Sequence, residues 1–186
     1  MAAPRNENIR EKILKATQEL LQVRSLSDIS LAQIAKGAGI SKGTLYYYYK
    51  SKTDILLDIT DIYLDRQWNE LIAWTGNREK DTSLPRLVKY VMERSAAASN
   101  IRVHLINAAM LGDEDLRRKL INRYAQFEDL IAQKIAERSP EGVDANYLSR
   151  LILLAADGLI IQEAIRNPNF DREAFISLSG DYIKSV

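Results

Sequence analysis

Apolar residues recur along most of this chain at spacings of three and four, the period of an amphipathic α-helix. The first such segment has its inward positions at Ile9, Ile13, Leu14, Ala16, Leu20 and Leu21. Two very short helices are predicted over residues 31–37 and 42–49, and a longer one over residues 53–74. The pattern therefore predicts an all-α fold, with about nine helices in total.

Three serines indicate where helices begin. In a capping box, the serine oxygen accepts the amide three residues on, and that residue's side chain returns to the serine amide. Two pairs fit the box, and a third keeps the cap without the box. The two boxes are Ser30 with Gln33 and Ser51 with Asp54, and the simple cap is Ser41 with Thr44. Because Gly39 can take the left-handed conformation that ends a helix, the two short helices form a helix-turn-helix by spacing alone.

The segment after Asp144 predicts a helix that is apolar on two sides. One stripe contains Leu148, Ile152, Ala155 and Leu159, and the other contains Leu151, Leu154, Gly158 and Ile161. Such a helix is either central in a core or shared with another chain. Asp157-Gly158 could instead form a hairpin turn, but its Leu- and Ala-rich flanks have helical period and favour the helix.

Composition excludes several kinds of chemistry. The 186 residues include no Cys and one His, which excludes disulfides, thiol nucleophiles and mechanisms that need two imidazoles. No convergent catalytic group or Gly-rich phosphate loop is visible, so we expect no enzyme, no catalytic residue, no metal and no cofactor. No apolar run approaches the ~18 residues that span a bilayer, and the N-terminus lacks a signal-peptide pattern. We therefore expect a cytoplasmic protein without a membrane partner.

Charge is divided unevenly along the chain. Residues 1–52 carry nine Lys and Arg and four Asp and Glu, a net charge of +5, whereas the rest carries −4. A basic head on an acidic body suggests that the head binds a polyanion. The next helix has an acidic stripe, which we interpret as solvated, with attraction of a cationic effector or metal as the alternative. Its members are Asp54, Asp58, Asp61 and Asp65.

The densest functional signal lies between Ile34 and Lys52. Four consecutive tyrosines occupy residues 46–49, and successive helical residues lie about 100° apart, so at least two must be exposed. Hydroxyl and cationic side chains surround them on a helix short enough for a major groove about 12 Å wide. Lysines neutralise phosphates there, while Tyr and Thr hydroxyls reach phosphates and base edges.

This segment resembles the DNA-binding domain of the tetracycline-repressor (TetR) family of bacterial transcriptional regulators. The matching positions are Ser30, Ile34-Ala35, Ala38-Gly39-Ile40-Ser41, Gly43-Thr44-Leu45-Tyr46, Tyr48-Tyr49 and Ser51-Lys52. The family often has Gly where Ser25 lies and Phe where Tyr49 lies. The resemblance implies that Tyr49 is buried against the first helix.

Carried over by position, the resemblance implies which residues meet DNA. The expected contacts to phosphates or bases are Thr44, Tyr46, Tyr48 and Lys52, and those that approach base edges are Lys42, Gly43 and Tyr47. Ser30 and Ser41 would bring helix N-termini to phosphates. The resemblance further implies a DNA-binding domain over residues 1–52 and an effector-binding and dimerisation domain over residues 53–186, joined by a connecting helix.

In that second domain, the resemblance implies a mostly apolar effector cavity and a two-fold dimer interface. The candidate cavity residues are Trp68, Tyr90, His104, Met110, Tyr124 and Phe127, each of which could instead belong to the core. His104 could equally be a structural residue with a satisfied hydrogen bond. The candidate interface residues are Ile152, Ala155, Ala156, Leu159, Gln162 and Phe175.

The function implied is a ligand-responsive repressor that binds a pseudo-palindromic operator in double-stranded DNA as a homodimer and resides with the nucleoid. A DNA-binding regulator without a small-molecule effector, and an activator, are the alternatives. The hypothesis that the protein is an α-helical enzyme has the least support.

Overall fold

The structure, a computed structural model, describes residues 3–96, 99–139 and 142–184. Within these ranges the chain contains nine α-helices, one short 3-10 turn at Leu26–Asp28 and no strand. The helices are α1 (Ala3–Leu21), α2 (Leu31–Gly37), α3 (Lys42–Tyr48), α4 (Lys52–Thr75), α5 (Leu84–Ala96), α6 (Ser99–Met110), α7 (Glu114–Ala136), α8 (Ala145–Ala164) and α9 (Arg172–Ile183). The predicted all-α fold is therefore confirmed.

The first compact unit lies within residues 1–63 and 100–117. In it, α2 packs against both α1 and α3. The apolar period of α1 is reproduced in its burial, since Ile13, Leu14 and Leu21 are buried. Leu45 is completely buried and anchors the inner side of α3. The small helices are thus held by an apolar core, and their polar residues are left on the outside.

The second unit lies within residues 64–99 and 118–186. Here α5 packs against α8 and α9, and the rings of Trp74 and Tyr90 stack in the core with centroids 4.2 Å apart. The close approach of α9 to α5 depends on Gly180, because a Cβ at this position would lie 2.8 Å from Cγ of Lys89. The glycine is therefore explained by packing inside the unit.

Helix α8 begins where the sequence predicts it. Asp144 accepts the Tyr147 amide at 3.0 Å as its N-cap. The helix is continuous through Asp157 and Gly158, so the hairpin alternative is wrong. One of its apolar stripes is largely buried and the other is largely exposed.

The chain passes from the first unit to the second within α4, between Tyr63 and Leu64. The predicted functional boundary at residues 52/53 coincides instead with the start of α4. It stays a prediction, because compact units are defined by packing and not by function. Among the described residues, no helix is both long enough and apolar enough to cross a membrane.

Candidate nucleic-acid interface

Hydrogen bonds between residues three apart fix the start of α2, the first helix of the helix-turn-helix. Ser30 Oγ accepts the Gln33 amide at 3.2 Å, and Gln33 Oε1 accepts the Ser30 amide at 2.7 Å, which completes the predicted capping box. The turn after α2 has Gly39 at a φ of +66°, where a Cβ would be strained. Spacing alone therefore predicted both the start of α2 and the glycine that ends it.

Helix α3 begins with the simple cap that the sequence indicates. Ser41 Oγ accepts the Thr44 amide at 3.0 Å and lies 2.8 Å from the Thr44 hydroxyl. Seven residues make barely two turns, a length that is not stable as an isolated helix. The orientation of α3 is consequently determined by its anchors to the rest of the unit.

The four tyrosines separate into an exposed and an inner pair. Tyr46 and Tyr47 are 55% and 80% exposed, as the helical period requires. Tyr48 is half-buried and meets the Tyr47 ring edge-on, with centroids 5.4 Å apart. Tyr49 is buried, as the resemblance implies. Together with the exposed Lys42, the outer tyrosines form a contiguous polar and aromatic surface on α3.

Lys52 stands at the first position of α4, in a second capping box. Ser51 Oγ accepts the Asp54 amide at 3.1 Å, and Asp54 Oδ2 accepts the Ser51 amide at 2.9 Å. The Lys52 ammonium donates to the Leu26 carbonyl oxygen at 2.8 Å. Since an ammonium has three donors, this bond holds the charge in place and leaves capacity for a phosphate oxygen.

The acidic stripe of α4 is solvated only in part, since Asp65 is 59% exposed while Asp54, Asp58 and Asp61 are half-buried. Asp54 caps the helix, Asp58 accepts from Arg10 and Tyr49, and Asp65 pairs with Arg123. Within the described ranges, no group of three His, Asp or Glu side chains is placed to hold a metal ion. Sequence reasoning missed the role of Asp58, and the signal available for it was the tyrosine at position 49.

The segment of α1 to α4 described above is similar to that of known proteins. The sequence profile described as bacterial regulatory proteins of the tetR family matches residues 13–59, from α1 into α4. Residues 13–59 therefore match the TetR family. The chain is also 43% identical over 60 residues to the HTH-type transcriptional regulator EthR of Mycobacterium tuberculosis (strain H37Rv). That match covers 32% of this chain but only 28% of EthR.

A second TetR-type relative matches over most of its length. The nucleoid occlusion factor SlmA of Shewanella baltica (strain OS155) is 28% identical over 173 residues, which cover 87% of this chain and 86% of SlmA. The match to EthR is thus short and of higher identity. The match to SlmA has lower identity and extends through both units.

Solved structures share the fold over nearly the whole chain. A regulator from Saccharomonospora viridis in complex with choline has a TM-score of 0.79 at 20% identity, covering 94% of this chain and 95% of its own. FadR from Bacillus subtilis in complex with stearoyl-CoA has a TM-score of 0.72 at 17% identity, covering 92% and 95%. At these identities the likeness establishes the TetR fold.

The residues predicted for an effector cavity fall into both units. In the second, Trp68 and Phe127 meet edge-to-face with centroids 5.5 Å apart. Tyr124 donates its hydroxyl to Asp157 Oδ2 at 2.5 Å. Tyr90 belongs to the core, where it stacks on Trp74. The structure thus brings Trp68 and Phe127 together at the edge of the apolar core.

The other two candidates for the cavity lie in the first unit. His104 Nε2 lies 2.9 Å from the Leu21 carbonyl oxygen at the end of α1, in agreement with the structural alternative for this residue. Met110, at the end of α6, has an exposed side chain, which does not suit the wall of an enclosed apolar cavity.

Three of the six predicted dimer residues lie on the inner side of α8. Ile152, Ala156 and Leu159 are buried in the protomer, so they have no surface to offer to a partner, and our choice of stripe has to be corrected. Ala155 and Gln162 are half-buried. Phe175 on α9 is partly exposed. The apolar period was correct, but it does not specify which side of a two-sided helix faces the protomer core.

The second stripe of α8 is the exposed one. Its large apolar members continue onto α9, and we call this set the α8–α9 face: Tyr147, Leu151, Leu154, Ile161, Ile165, Phe175, Leu178 and Tyr182. Four members of this face, Leu151, Phe175, Leu178 and Tyr182, line a groove of about 350 Å³ together with Val88 and Met92. Contiguous exposed apolar surface of this kind is typical of an interaction site.

Proposed function

We propose that this TetR-family chain is a transcriptional regulator that binds a pseudo-palindromic DNA operator as a homodimer and is released by a small molecule. The surface of α3 carries the DNA-binding part of the proposal, since exposed Tyr46 and Tyr47 stand beside exposed Lys42 within residues 1–52, whose net charge is +5. Such a surface combines phosphate neutralisation with hydroxyls for base edges.

Gly43 supports close docking of this surface. A Cβ at Gly43 would have only Ser41 Oγ nearby, at 3.8 Å, so packing within the chain does not require glycine. Gly43 lies in the first turn of α3, where glycine still loses more conformational entropy than alanine. Close approach of the α3 backbone to DNA accounts for a residue that the fold itself does not need.

The α8–α9 face supports the homodimer. Gly158 lies among its exposed leucines and isoleucines, and a Cβ there would meet nothing within 4 Å. A glycine and an apolar stripe together allow a second helix to approach closely, and a copy of the same face is the simplest complement. Two copies of α3 would then meet half-sites one helical turn apart, about 34 Å, or a multiple of that distance.

The effector part rests on the second unit. Trp68 and Phe127 form an aromatic pair, and Tyr124 donates its hydroxyl to Asp157. Apolar surface with a few polar groups suits a small-molecule site. The choline and stearoyl-CoA complexes of the two neighbours support the view that this fold holds ligands of different chemistry.

Replacing Trp68 tests the effector part separately. Trp68→Ala should weaken the response of the operator complex to the ligand while leaving operator affinity in its absence almost unchanged. Titration of the complex with the ligand, followed by fluorescence anisotropy, measures both quantities. An unaltered response in Trp68→Ala would remove this residue from the ligand site.

A second candidate function is a DNA-binding factor without a small-molecule effector. The similarity to SlmA through both units favours it, because that relative is named for nucleoid occlusion. Many binding sites spread over the chromosome would support this reading, whereas one site at a promoter would support a regulator. The position of that site relative to the promoter would then distinguish repression from activation.

The experiment that tests the proposal is selection of genomic fragments by the purified protein, followed by sequencing and titration against salt. We expect the selected fragments to share one pseudo-palindrome. In a plot of log K against the logarithm of the salt concentration, the slope should be about −0.9 for each neutralised phosphate. Equal affinity for the selected fragments and for unrelated duplexes would contradict the proposal.

A further inference from the structure

Tyr49 differs from the phenylalanine that the family often has at this position, and its hydroxyl has a specific partner. The residue caps the C-terminal end of α3, where its amide donates to the Leu45 carbonyl oxygen at 2.9 Å. Its ring is buried, and the hydroxyl donates to Oδ2 of Asp58 on α4. A phenylalanine could not make this bond, so the link between α3 and α4 is a feature of this sequence.

Asp58 holds a second helix at the same time. Arg10 Nε on α1 donates to Asp58 Oδ2 at 2.7 Å, and Arg10 Nη2 donates to Oδ1. Two parallel bonds from a planar guanidinium restrict orientation as well as distance. One carboxylate therefore joins α1, α4 and the end of α3.

This network is sheltered and stays charged. The Asp58 side chain is only 15% exposed, so water competes weakly for its oxygens. Burial, followed by the hydrogen bond to Asp58, raises the pKa of Tyr49, and the hydrogen bond that Arg10 donates to Asp58 raises the pKa of Arg10. Both donors consequently remain protonated at neutral pH.

We propose that Asp58 is a positioning residue for operator binding, which through Tyr49 and Arg10 sets the orientation of the reading helix α3 relative to α1 and α4. The inference rests on the proposed function. Tyr46 and Tyr47 precede Tyr49 by two or three residues, so a rotation of this end of α3 displaces their hydroxyls. Hydrogen bonds weaken steeply when donor and acceptor are misaligned. Such a rotation therefore weakens hydrogen bonds to base edges more than it weakens the electrostatic attraction to phosphates.

The test compares variants that remove single atoms or charges. Tyr49→Phe deletes only the hydroxyl, and Asp58→Asn removes the charge that both donors share. Asp65→Asn is the matched control, because Asp65 is also an α4 carboxylate paired with an arginine, Arg123, but has no bond to α3. Anisotropy titrations use the selected operator and an unrelated duplex of equal length over a salt series, and thermal unfolding reports folding.

We expect Tyr49→Phe to lower operator affinity about tenfold, the size of one charge-assisted hydrogen bond. Its affinity for the unrelated duplex, its salt slope and its folded fraction at the assay temperature should match the unmodified protein. Asp58→Asn should lose more operator affinity, and the double variant should lose no more than Asp58→Asn alone. Asp65→Asn should bind like the unmodified protein.

Unchanged operator affinity in Tyr49→Phe and Asp58→Asn would overturn the inference while leaving the proposed function intact. Equal losses on both duplexes, in proportion to unfolded protein, would also overturn it, because Asp58 would then act on folding alone. Tyr49→Phe keeps the test valid if Asp58→Asn does not fold. If the unmodified protein selects no operator, the proposed function fails and the inference falls with it.

Discussion

Two surfaces of this molecule, one on α3 and one on α8, share a feature and differ in chemistry. Each contains a helical glycine, Gly43 or Gly158, at which an added Cβ would meet no crowded neighbour. Around Gly43 the exposed side chains are polar, cationic and aromatic, whereas around Gly158 they are aliphatic. In our proposal each glycine serves an external partner, and its surroundings suit a polyanion at α3 and an apolar helix at α8.

Gly180 differs from Gly43 and Gly158 because an added Cβ would be crowded there. It is buried, and a Cβ there would collide with the Lys89 side chain. Its glycine is explained inside the protomer, so no partner needs to be invoked. Substitutions at the three glycines should accordingly affect three different properties.

The largest effect is expected at Gly43. Gly43→Leu should reduce operator binding to the non-specific level, about 1,000-fold, because the side chain holds the backbone away from the groove. Gly43→Ala should bind more weakly than the unmodified protein while gaining about 0.5–1 kcal/mol in free energy of unfolding from its helix propensity. Anisotropy and denaturant titration measure the two quantities. Native operator affinity in Gly43→Leu would show that α3 does not dock closely.

The next effect concerns self-association through the α8–α9 face. Ile161→Asp should convert the dimer into monomers at micromolar concentration and lower operator affinity about 100-fold, since two half-sites are then bound independently. Sedimentation velocity measures the change in mass. Ile121→Asp on α7 is the matched control, because Ile121 is 60% exposed and Ile161 57%. A dimer that survives Ile161→Asp would place the interface elsewhere.

A smaller effect is expected inside the second unit. Gly180→Ala should lower the free energy of unfolding by about 1–3 kcal/mol through overpacking against Lys89. Lys89→Ala alone should cost little, because its ion pair with Asp181 is partly exposed and 3.8 Å long. The double variant should recover most of the loss if the collision is the cause. Operator affinity well below the melting temperature should stay the same in all three.

The smallest effect separates a cap from a phosphate contact. Ser30→Ala should cost about 1 kcal/mol in unfolding free energy, as should Asp144→Ala at the start of α8. If Ser30 also brings the N-terminus of α2 to a phosphate, its variant should in addition bind the operator more weakly, whereas Asp144→Ala should not. Equal operator affinity in the two variants would restrict Ser30 to capping.

Local interactions made much of the first unit predictable. The caps at Ser30, Ser41 and Ser51 join residues three apart, so their spacing is visible in the sequence. The exposure of Tyr46 and Tyr47 follows from helical period alone. The resemblance to the TetR family then added the DNA-binding role, which period and capping cannot supply.

Distant contacts account for what sequence reasoning missed. Asp58 meets Arg10 across 48 positions, and His104 meets Leu21 across 83, so no spacing rule connects them. The inner stripe of α8 was mistaken for a dimer surface because both stripes have the same period. Only the packing of α5 against α8 shows which one belongs to the protomer core.

The sequence by itself determined the helical class, the starts of the short helices and the basic, tyrosine-rich surface of α3. These features depend on backbone preferences and hydrogen bonds within one turn of a helix. The tertiary structure alone decided that Asp58 joins three helices, that His104 is bonded to the end of α1, and which side of α8 remains exposed. Such choices depend on which segments pack together, because burial and long-range hydrogen bonds exist only once the chain has folded.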